Sequence, residues 1–163
     1  MKKAAEKTNA LRMLSQHKLA FEVHDYSDSG AVSGTEVAAA LGEDPEKVFK
    51  TLVTVGKSGQ HYVFVVPVCR ELDLKKAAAA VKEKNVVMIP QKELLPLTGY
   101  IHGGCSPIGM KKLFPTVLHE SAGRLATFCV SGGRIGLQLE LTPEALGKLT
   151  PYTLADIVTE EES

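Results

Sequence analysis

The hydrophobic positions of the chain change period several times, which predicts short helices and short strands following one another. Leucines recur at helical spacing in a segment without Pro or Gly, so a first helix is predicted over residues 4–18. Apolar and polar residues then alternate with a period of two over residues 21–26, which indicates a half-buried strand. Neither pattern is long enough for a membrane span.

Capping residues predict where further helices begin. Ser33 or Thr35 can cap a helix through residues 37–41. Asp44, followed by Pro, predicts another helix that contains residues 47–50. Asp73 opens a predicted helix over residues 75–84, and Thr142 caps one over residues 142–149. The remaining predicted elements are strands over residues 51–55, 62–68, 86–89, 116–119, 125–130 and 135–141, a helix over residues 91–97 and a last element over residues 154–158.

These elements favour a mixed α/β fold. Strands that form hairpins, with helices interspersed, predict a mixed sheet that curls into a partial barrel flanked by helices. The length of 163 residues fits a single domain over residues 1–163. With 44% hydrophobic and 23% charged residues, the composition is that of an ordinary globular protein.

Composition and charge exclude several classes of protein. Three cysteines are too few for a disulfide framework, and no apolar run approaches the length of a membrane span. The lysines of the N-terminus precede no apolar region, so a secretory signal is not predicted and a cytoplasmic location is expected. Nineteen basic residues balance 19 acidic ones, which argues against nonspecific coating of nucleic acid. A local basic excess over residues 70–112 could still hold a few phosphates, or could form solvated helix faces.

Two glycine-rich segments interrupt the predicted elements. The first, residues 98–112, contains Gly103 and Gly104 and ends in a pair of lysines. The second, residues 130–136, contains Ser131 and Gly132. Glycines let backbone N–H groups approach a ligand oxygen closely, but each segment could equally be a plain turn.

Individual reactive residues leave alternatives open. Lys50 stands between apolar residues, so it either extends to solvent or points into a pocket toward an anion. His102-x-x-Cys105 has metal-ligand spacing, but no second pair accompanies it, and neither a metal nor an organic cofactor is predicted. Cys105 could act as a nucleophile with His102 or His119 as base, although a small buried thiol is the simpler interpretation. Tyr26 could contact a ligand or cover the core.

Four segments together resemble a known family. They are FKTL at Phe49–Leu52, LDLKK at Leu72–Lys76, TGYIHGGCSPIGMKK at Thr98–Lys112 and VSGGRIGLQLEL at Val130–Leu141. In this order they resemble the YbaK/EbsC family of aminoacyl-tRNA deacylases, which is related to the editing domain inserted in bacterial prolyl-tRNA synthetases. The resemblance extends over nearly the whole chain. It implies a free-standing trans-editing enzyme that hydrolyses mischarged Cys-tRNA(Pro), with prolyl-tRNA synthetase as a partner.

The resemblance also implies roles for single residues. Lys50 matches the functional lysine that holds the terminal adenosine or phosphate of the tRNA 3′ end, and Gly103 and Gly104 match the loop whose amides face the ester carbonyl. The implied substrate-binding residues are Tyr26, Thr51, Ser131 and Gly132. The family's mechanism requires no enzyme nucleophile, because the thiol of the substrate cysteine attacks its own ester carbonyl.

Two other functions remain open. Ser33 stands where the family often carries an aromatic residue, so the pocket could instead accept another small residue such as alanine, with water as the nucleophile. The chain could also be a binding module for the tRNA end without catalytic activity. Turnover at enzyme concentrations far below those of the substrate distinguishes the binding module from an enzyme.

Overall fold

The computed structural model describes residues 8–160, within which the chain forms five α-helices and eight strands. The helices are α1 (Asn9–Gln16), α2 (Gly34–Leu41), α3 (Leu74–Val81), α4 (Leu94–Thr98) and α5 (Pro143–Leu149). The strands are β1 (Glu22–Asp25), β2 (Phe49–Gly56), β3 (His61–Pro67), β4 (Val86–Met88), β5 (Thr116–His119), β6 (Phe128–Ser131), β7 (Leu137–Leu141) and β8 (Tyr152–Ala155).

The strands form two sheets that contact each other through β2 of the larger sheet and the edge strand β6 of the smaller one. A five-stranded mixed sheet has the order β4-β2-β3-β5-β8, with β3, β5 and β8 parallel to one another. A three-stranded antiparallel sheet has the order β1-β7-β6. An isolated parallel bridge between Val48 and Cys129 connects β2 to β6. The predicted mixed α/β fold is therefore confirmed, and its curled sheet consists of two sheets that do not close into a barrel.

The largest hydrophobic core lies between the two sheets and the helices that cover them. The rings of Phe49 on β2 and Phe128 on β6 meet edge to face with centroids 5.1 Å apart, a favourable aromatic geometry. Leu14 of α1 and Leu146 of α5 are fully buried in the same cluster. In residues 8–160, α-helices with the length and apolar character needed to cross a bilayer are absent.

Three of the six predicted helix starts are confirmed, because they rest on local capping. Ser33, rather than Thr35, caps α2 and forms a capping box with Glu36. The Asp73 side chain accepts hydrogen bonds from two backbone N–H groups of α3, and the Thr142 hydroxyl accepts one from α5. Thr8 caps α1, so this helix begins at Asn9, and residues 4–7 of the predicted helix lie outside the described residues.

The predicted helix containing residues 47–50 is wrong. Only one turn forms after Asp44, where the Lys47 N–H donates to the Asp44 carbonyl at 2.8 Å, and β2 begins at Phe49. Pairing of Phe49 with Pro67 on β3, together with its packing on Phe128, outweighs the local capping signal. Lys50 consequently lies on a strand.

Several boundaries also differ from the prediction. The helix predicted over residues 75–84 ends at Val81, and the strand predicted from residue 125 begins at Phe128, after a 3-10 turn. The segment predicted as a helix over residues 91–97 divides into a 3-10 turn and α4. Such differences are expected because helix and strand ends depend on tertiary packing more than on local sequence.

Candidate active site

A cavity of about 710 Å³ lies where the two sheets meet. Its walls come from the beginning of α2, from β2, from the segment between β4 and α4, from the first glycine loop and from the β6–β7 hairpin. Five of the seven predicted site residues line it: Tyr26, Lys50, Thr51, Gly103 and Ser131. The fold therefore brings together segments that are far apart in the sequence.

Lys50 supplies a positive charge to this cavity. It pairs with Val66 in the β2–β3 hairpin and is half-buried. No residue from 8 to 160 forms a hydrogen bond or an ion pair with its ammonium group. Burial lowers the pKa of the Lys50 amino group from its usual 10.5, while Glu71 and Cys69 act in the opposite direction. A half-desolvated cation without a partner is suited to bind an anionic group of a ligand.

The two glycines of the first loop have different environments. Gly103 lines the cavity with a φ of +89°, a conformation that favours glycine, and no described group accepts a hydrogen bond from its N–H. The Gly104 N–H donates to the Ile101 carbonyl at 2.9 Å. Gly104 is not among the lining residues of the cavity. Of the two glycines, only Gly103 has an N–H without a hydrogen-bond partner among the described residues.

The second glycine loop contributes Ser131 to the cavity wall, whereas Gly132 packs behind it. Ser131 lines the cavity, and its Oγ accepts a hydrogen bond from the Gly133 N–H at 3.1 Å. The Gly132 N–H donates to the Leu137 carbonyl at 2.8 Å, and the Gly132 carbonyl accepts from the Thr8 hydroxyl. Gly132 is not among the lining residues, and its contacts hold the hairpin in place.

Tyr26 and Thr51 complete the predicted set. Tyr26 is buried, and its backbone N–H donates to the Gly136 carbonyl at 2.8 Å, which fixes β1 to the second glycine loop. The Thr51 Oγ1 is buried and has no hydrogen-bond partner among the described residues. Both residues belong to the lining of the cavity.

The cysteines near the cavity are poorly suited to act as nucleophiles. Cys105 lines the cavity, but burial raises the pKa of its thiol to about 12. Burial, with Glu43 nearby, likewise raises the pKa of the Cys129 thiol to about 12. Because the thiolate is the reactive form, neither residue has the environment of an activated cysteine.

The sequence analysis missed a polar network beside the cavity. Glu140 lies 2.8 Å from His24 Nε2 and 3.3 Å from the Lys47 ammonium. Hydrogen bonds from Thr127 and His24 are the main reason that the pKa of the Glu140 carboxyl falls to about 2. His24, Cys129 and Glu140 place possible metal-ligand atoms within 4.8 Å of one another, but Lys47 already supplies a cation there.

Gln138 connects this network to the cavity. It lines the cavity, and its Nε2 donates to Glu43 Oε1 at 2.9 Å. The signal in the sequence is that Gln138 and Glu140 share one face of β7, opposite three leucines. Alternation of this kind indicates a polar surface but does not reveal that Glu43 and Lys47, from the segment between α2 and β2, bind to it.

The family model for the aminoacyl-tRNA editing domain matches residues 29–149. The chain belongs to this family, and the predicted resemblance is confirmed. A protein of Enterococcus faecalis named "Putative Cys-tRNA(Pro)/Cys-tRNA(Cys) deacylase EbsC" is 48% identical over 161 residues, which cover 98% of each chain.

Solved structures agree with this assignment. One is described as the "Crystal structure of a putative trans-editing enzyme for prolyl tRNA synthetase" and matches with a TM-score of 0.82 and 27% identity, over 96% of this chain and all of that one. A hypothetical protein matches in fold with a TM-score of 0.84 and 22% identity, over 93% of this chain and 99% of that one. The chain shares the fold of these two proteins along nearly its whole length.

Proposed function

We propose that the chain is a trans-editing deacylase that releases cysteine from mischarged Cys-tRNA(Pro). The observation that carries the proposal is the ammonium of Lys50, which is half-buried at the cavity and has no partner among the described residues. A phosphate of the tRNA 3′ end is an anion of the kind that such a lysine binds. Family membership and the name of the Enterococcus relative support the same substrate class.

The glycine loop provides the second element of the site. An ester carbonyl develops negative charge on its oxygen when a nucleophile attacks, and a fixed backbone N–H lowers the barrier by stabilising that charge. The Gly103 N–H is the candidate donor, since the Gly104 N–H is already bound to Ile101. Gly104 then acts by fixing the conformation of the loop.

The substrate itself supplies the nucleophile. Its thiolate attacks the ester carbonyl carbon, a carbon–sulfur bond forms, and the bond to the ribose oxygen breaks. The tRNA leaves with a free hydroxyl after taking up a proton, and the cysteine leaves as a four-membered thiolactone that water later opens. A free cysteine thiol has a pKa of about 8.5, so a usable thiolate fraction exists near neutral pH. Alignment of the reacting groups in the cavity raises their effective concentration.

We propose that a complex with prolyl-tRNA synthetase selects tRNA(Pro) among other tRNAs. The chain has no net charge, and binding to nucleic acid depends mainly on neutralised phosphates. Its own affinity for tRNA is therefore expected to be modest. Discrimination of tRNA(Pro) by the isolated protein at physiological salt would make the partner unnecessary.

A second candidate function is hydrolysis of the ester bond of Ala-tRNA(Pro), with water as the nucleophile. Ser33 lines the cavity as the cap of α2, and it occupies less space than the aromatic residue often found there in the family. Lys50 and both glycine loops could bind either substrate. The two candidates differ in which acyl group reacts and in the nucleophile, which is the substrate thiol for cysteine and water for alanine.

Multiple-turnover deacylation of Cys-, Ala- and Pro-tRNA(Pro) tests the proposal. We expect rapid loss of cysteine with enzyme far below substrate, and loss of this activity in Lys50→Ala. Lys84→Ala, at an exposed lysine, is the matched control and should keep full activity. Preference for alanine would select the second candidate. Binding without turnover would show that the chain is a binding module.

A further inference from the structure

Gln138 is an almost completely buried polar residue that the proposed mechanism does not use. It is 2% exposed, yet it lines the cavity from β7. Its Oε1 has no hydrogen-bond partner among the described residues. A buried acceptor without a donor is costly to maintain, so such an atom beside a cavity indicates a ligand that completes it.

The orientation of the Gln138 amide is fixed by its neighbour. A carboxylate only accepts hydrogen bonds, so the bond of 2.9 Å to Glu43 Oε1 must come from Nε2. Glu43 is held in turn, because its Oε2 lies 4.0 Å from both His24 Nε2 and Cys129 Sγ. Oε1 of Gln138 therefore remains as an acceptor whose position the network determines.

Gln138 Oε1 differs from the other polar groups of the cavity in its hydrogen-bonding role. Lys50 and the Gly103 N–H are donors, which suit phosphate and carbonyl oxygens. A hydroxyl such as that of Thr51 can donate or accept. The amide oxygen of Gln138 can only accept, so it requires a donor on the ligand. An aminoacyl ester carries one cationic donor next to its carbonyl, the α-ammonium group.

We infer that Gln138 Oε1 accepts a hydrogen bond from the α-ammonium group of the aminoacyl ester, so that the site selects acyl groups with a free α-amino group. Glu43 is a positioning residue that keeps Oε1 directed to the ligand. This inference rests on the proposed deacylase function and adds a specificity that depends neither on the side chain of the amino acid nor on its thiol.

The test compares Cys-tRNA(Pro) with 3-mercaptopropionyl-tRNA(Pro), which keeps the thiol and the ester and lacks only the amino group. The wild-type protein should prefer the cysteinyl form roughly 10-fold or more beyond the ratio of the two uncatalysed rates, the range expected for a hydrogen bond to a charged group. Gln138→Met keeps the length of the side chain and removes the acceptor, so the ratio of the two rates should fall toward the ratio of the uncatalysed rates. Thermal unfolding of each variant shows whether it is folded.

Glu43→Gln is the second variant, because it preserves a hydrogen bond to Gln138 and removes the constraint on its orientation. We expect an intermediate ratio. Equal losses on both substrates in a folded Gln138→Met would overturn the inference and leave the deacylase function standing. If the wild-type protein cleaves neither substrate, the deacylase function is wrong and the inference falls with it.

Discussion

Gly104 and Arg134 are in direct backbone contact, so that a Cβ added at Gly104 would lie 2.8 Å from the Arg134 Cα. Gly104 belongs to the first glycine loop and Arg134 to the second. The two loops that line the cavity at Gly103 and Ser131 are therefore packed together without room for a side chain. Their relative position determines the distance between the proposed oxyanion donor and the substrate pocket.

Replacement of Gly104 by Ala should separate these loops. Because the obstacle is backbone and not the end of a flexible side chain, we expect a loss of about 1–3 kcal/mol in the free energy of unfolding and a large loss of deacylation. Chemical denaturation and deacylation rates measure the two effects. Gly123→Ala is the control, since its Cβ would approach only the partly exposed Leu154 side chain. A fully active Gly104→Ala would refute the proposed role of the loop contact.

Replacement of Lys50 should separate stability from activity. The folded state disfavours the charged lysine, since burial lowers its pKa, so the unfolded chain binds more protons between the lowered pKa and 10.5. Stability of the wild-type protein should therefore rise with pH through this window. Lys50→Met should be at least as stable as the wild type at pH 7 and inactive, and the difference in stability should shrink above pH 10.5.

Lys50→Arg is the matched variant because it keeps the positive charge. It should retain part of the activity, since a guanidinium also binds phosphate but places the charge differently. Denaturation across pH and deacylation at pH 7 provide both measurements. Full activity of Lys50→Met would contradict the assignment of the lysine to substrate binding.

Local features of the sequence predict those helix starts that depend on a cap. Long-range contacts determine the segment in which the sequence-based prediction is wrong. Ser33, Asp73 and Thr142 cap helices as expected, because a cap depends on atoms within three or four residues. Asp44 has the same local signal but is followed by only one turn. The pairing of Phe49 with Pro67 in the β2–β3 hairpin makes the chain continue as a strand from Phe49 instead of as a helix.

The candidate site shows the same division. Its glycine loops and Lys50 stand out in the sequence as glycine-rich runs and as a lysine between apolar residues. Gln138 does not stand out, because the partner that orients it, Glu43, is 95 residues away in the chain. The separate roles of Gly103 and Gly104 could not be predicted either, since they depend on the contact of Gly104 with Arg134 in the other loop.

The two buried cysteines, Cys105 and Cys129, should be dispensable for catalysis. Burial holds the pKa of both the Cys105 and Cys129 thiols at about 12, so neither forms a thiolate near neutral pH. Cys105→Ala and Cys129→Ala should keep deacylase activity per folded molecule, with a stability cost of about 1–2 kcal/mol for the lost packing. Rates normalised to folded protein provide the measurement. A folded but inactive Cys105→Ala would instead indicate an enzyme nucleophile.

Glu140 should make the protein sensitive to acid. Its folded-state pKa, depressed to about 2 from 4.5, means that its contribution to stability is present above pH 4.5 and is lost as the pH falls toward 2. Glu140→Gln should therefore lose on the order of 2 kcal/mol at pH 7 and show a flatter stability profile between pH 5 and 2. Acid denaturation measured by circular dichroism tests this, with the exposed Glu93→Gln as control. An unchanged acid profile in Glu140→Gln would rule out this role.

The most direct test of the account compares Cys-, Ser- and Ala-tRNA(Pro) as substrates of the wild-type protein. The three acyl groups differ at one atom of the side chain, and only cysteine carries a thiol that can attack its own ester. We predict rapid deacylation of the cysteinyl form, with serine and alanine at least 100-fold slower, which is less than the roughly 10⁵-fold or more that a well-oriented intramolecular nucleophile can provide. Equal rates on all three would contradict the account, because they would show that the nucleophile does not come from the substrate.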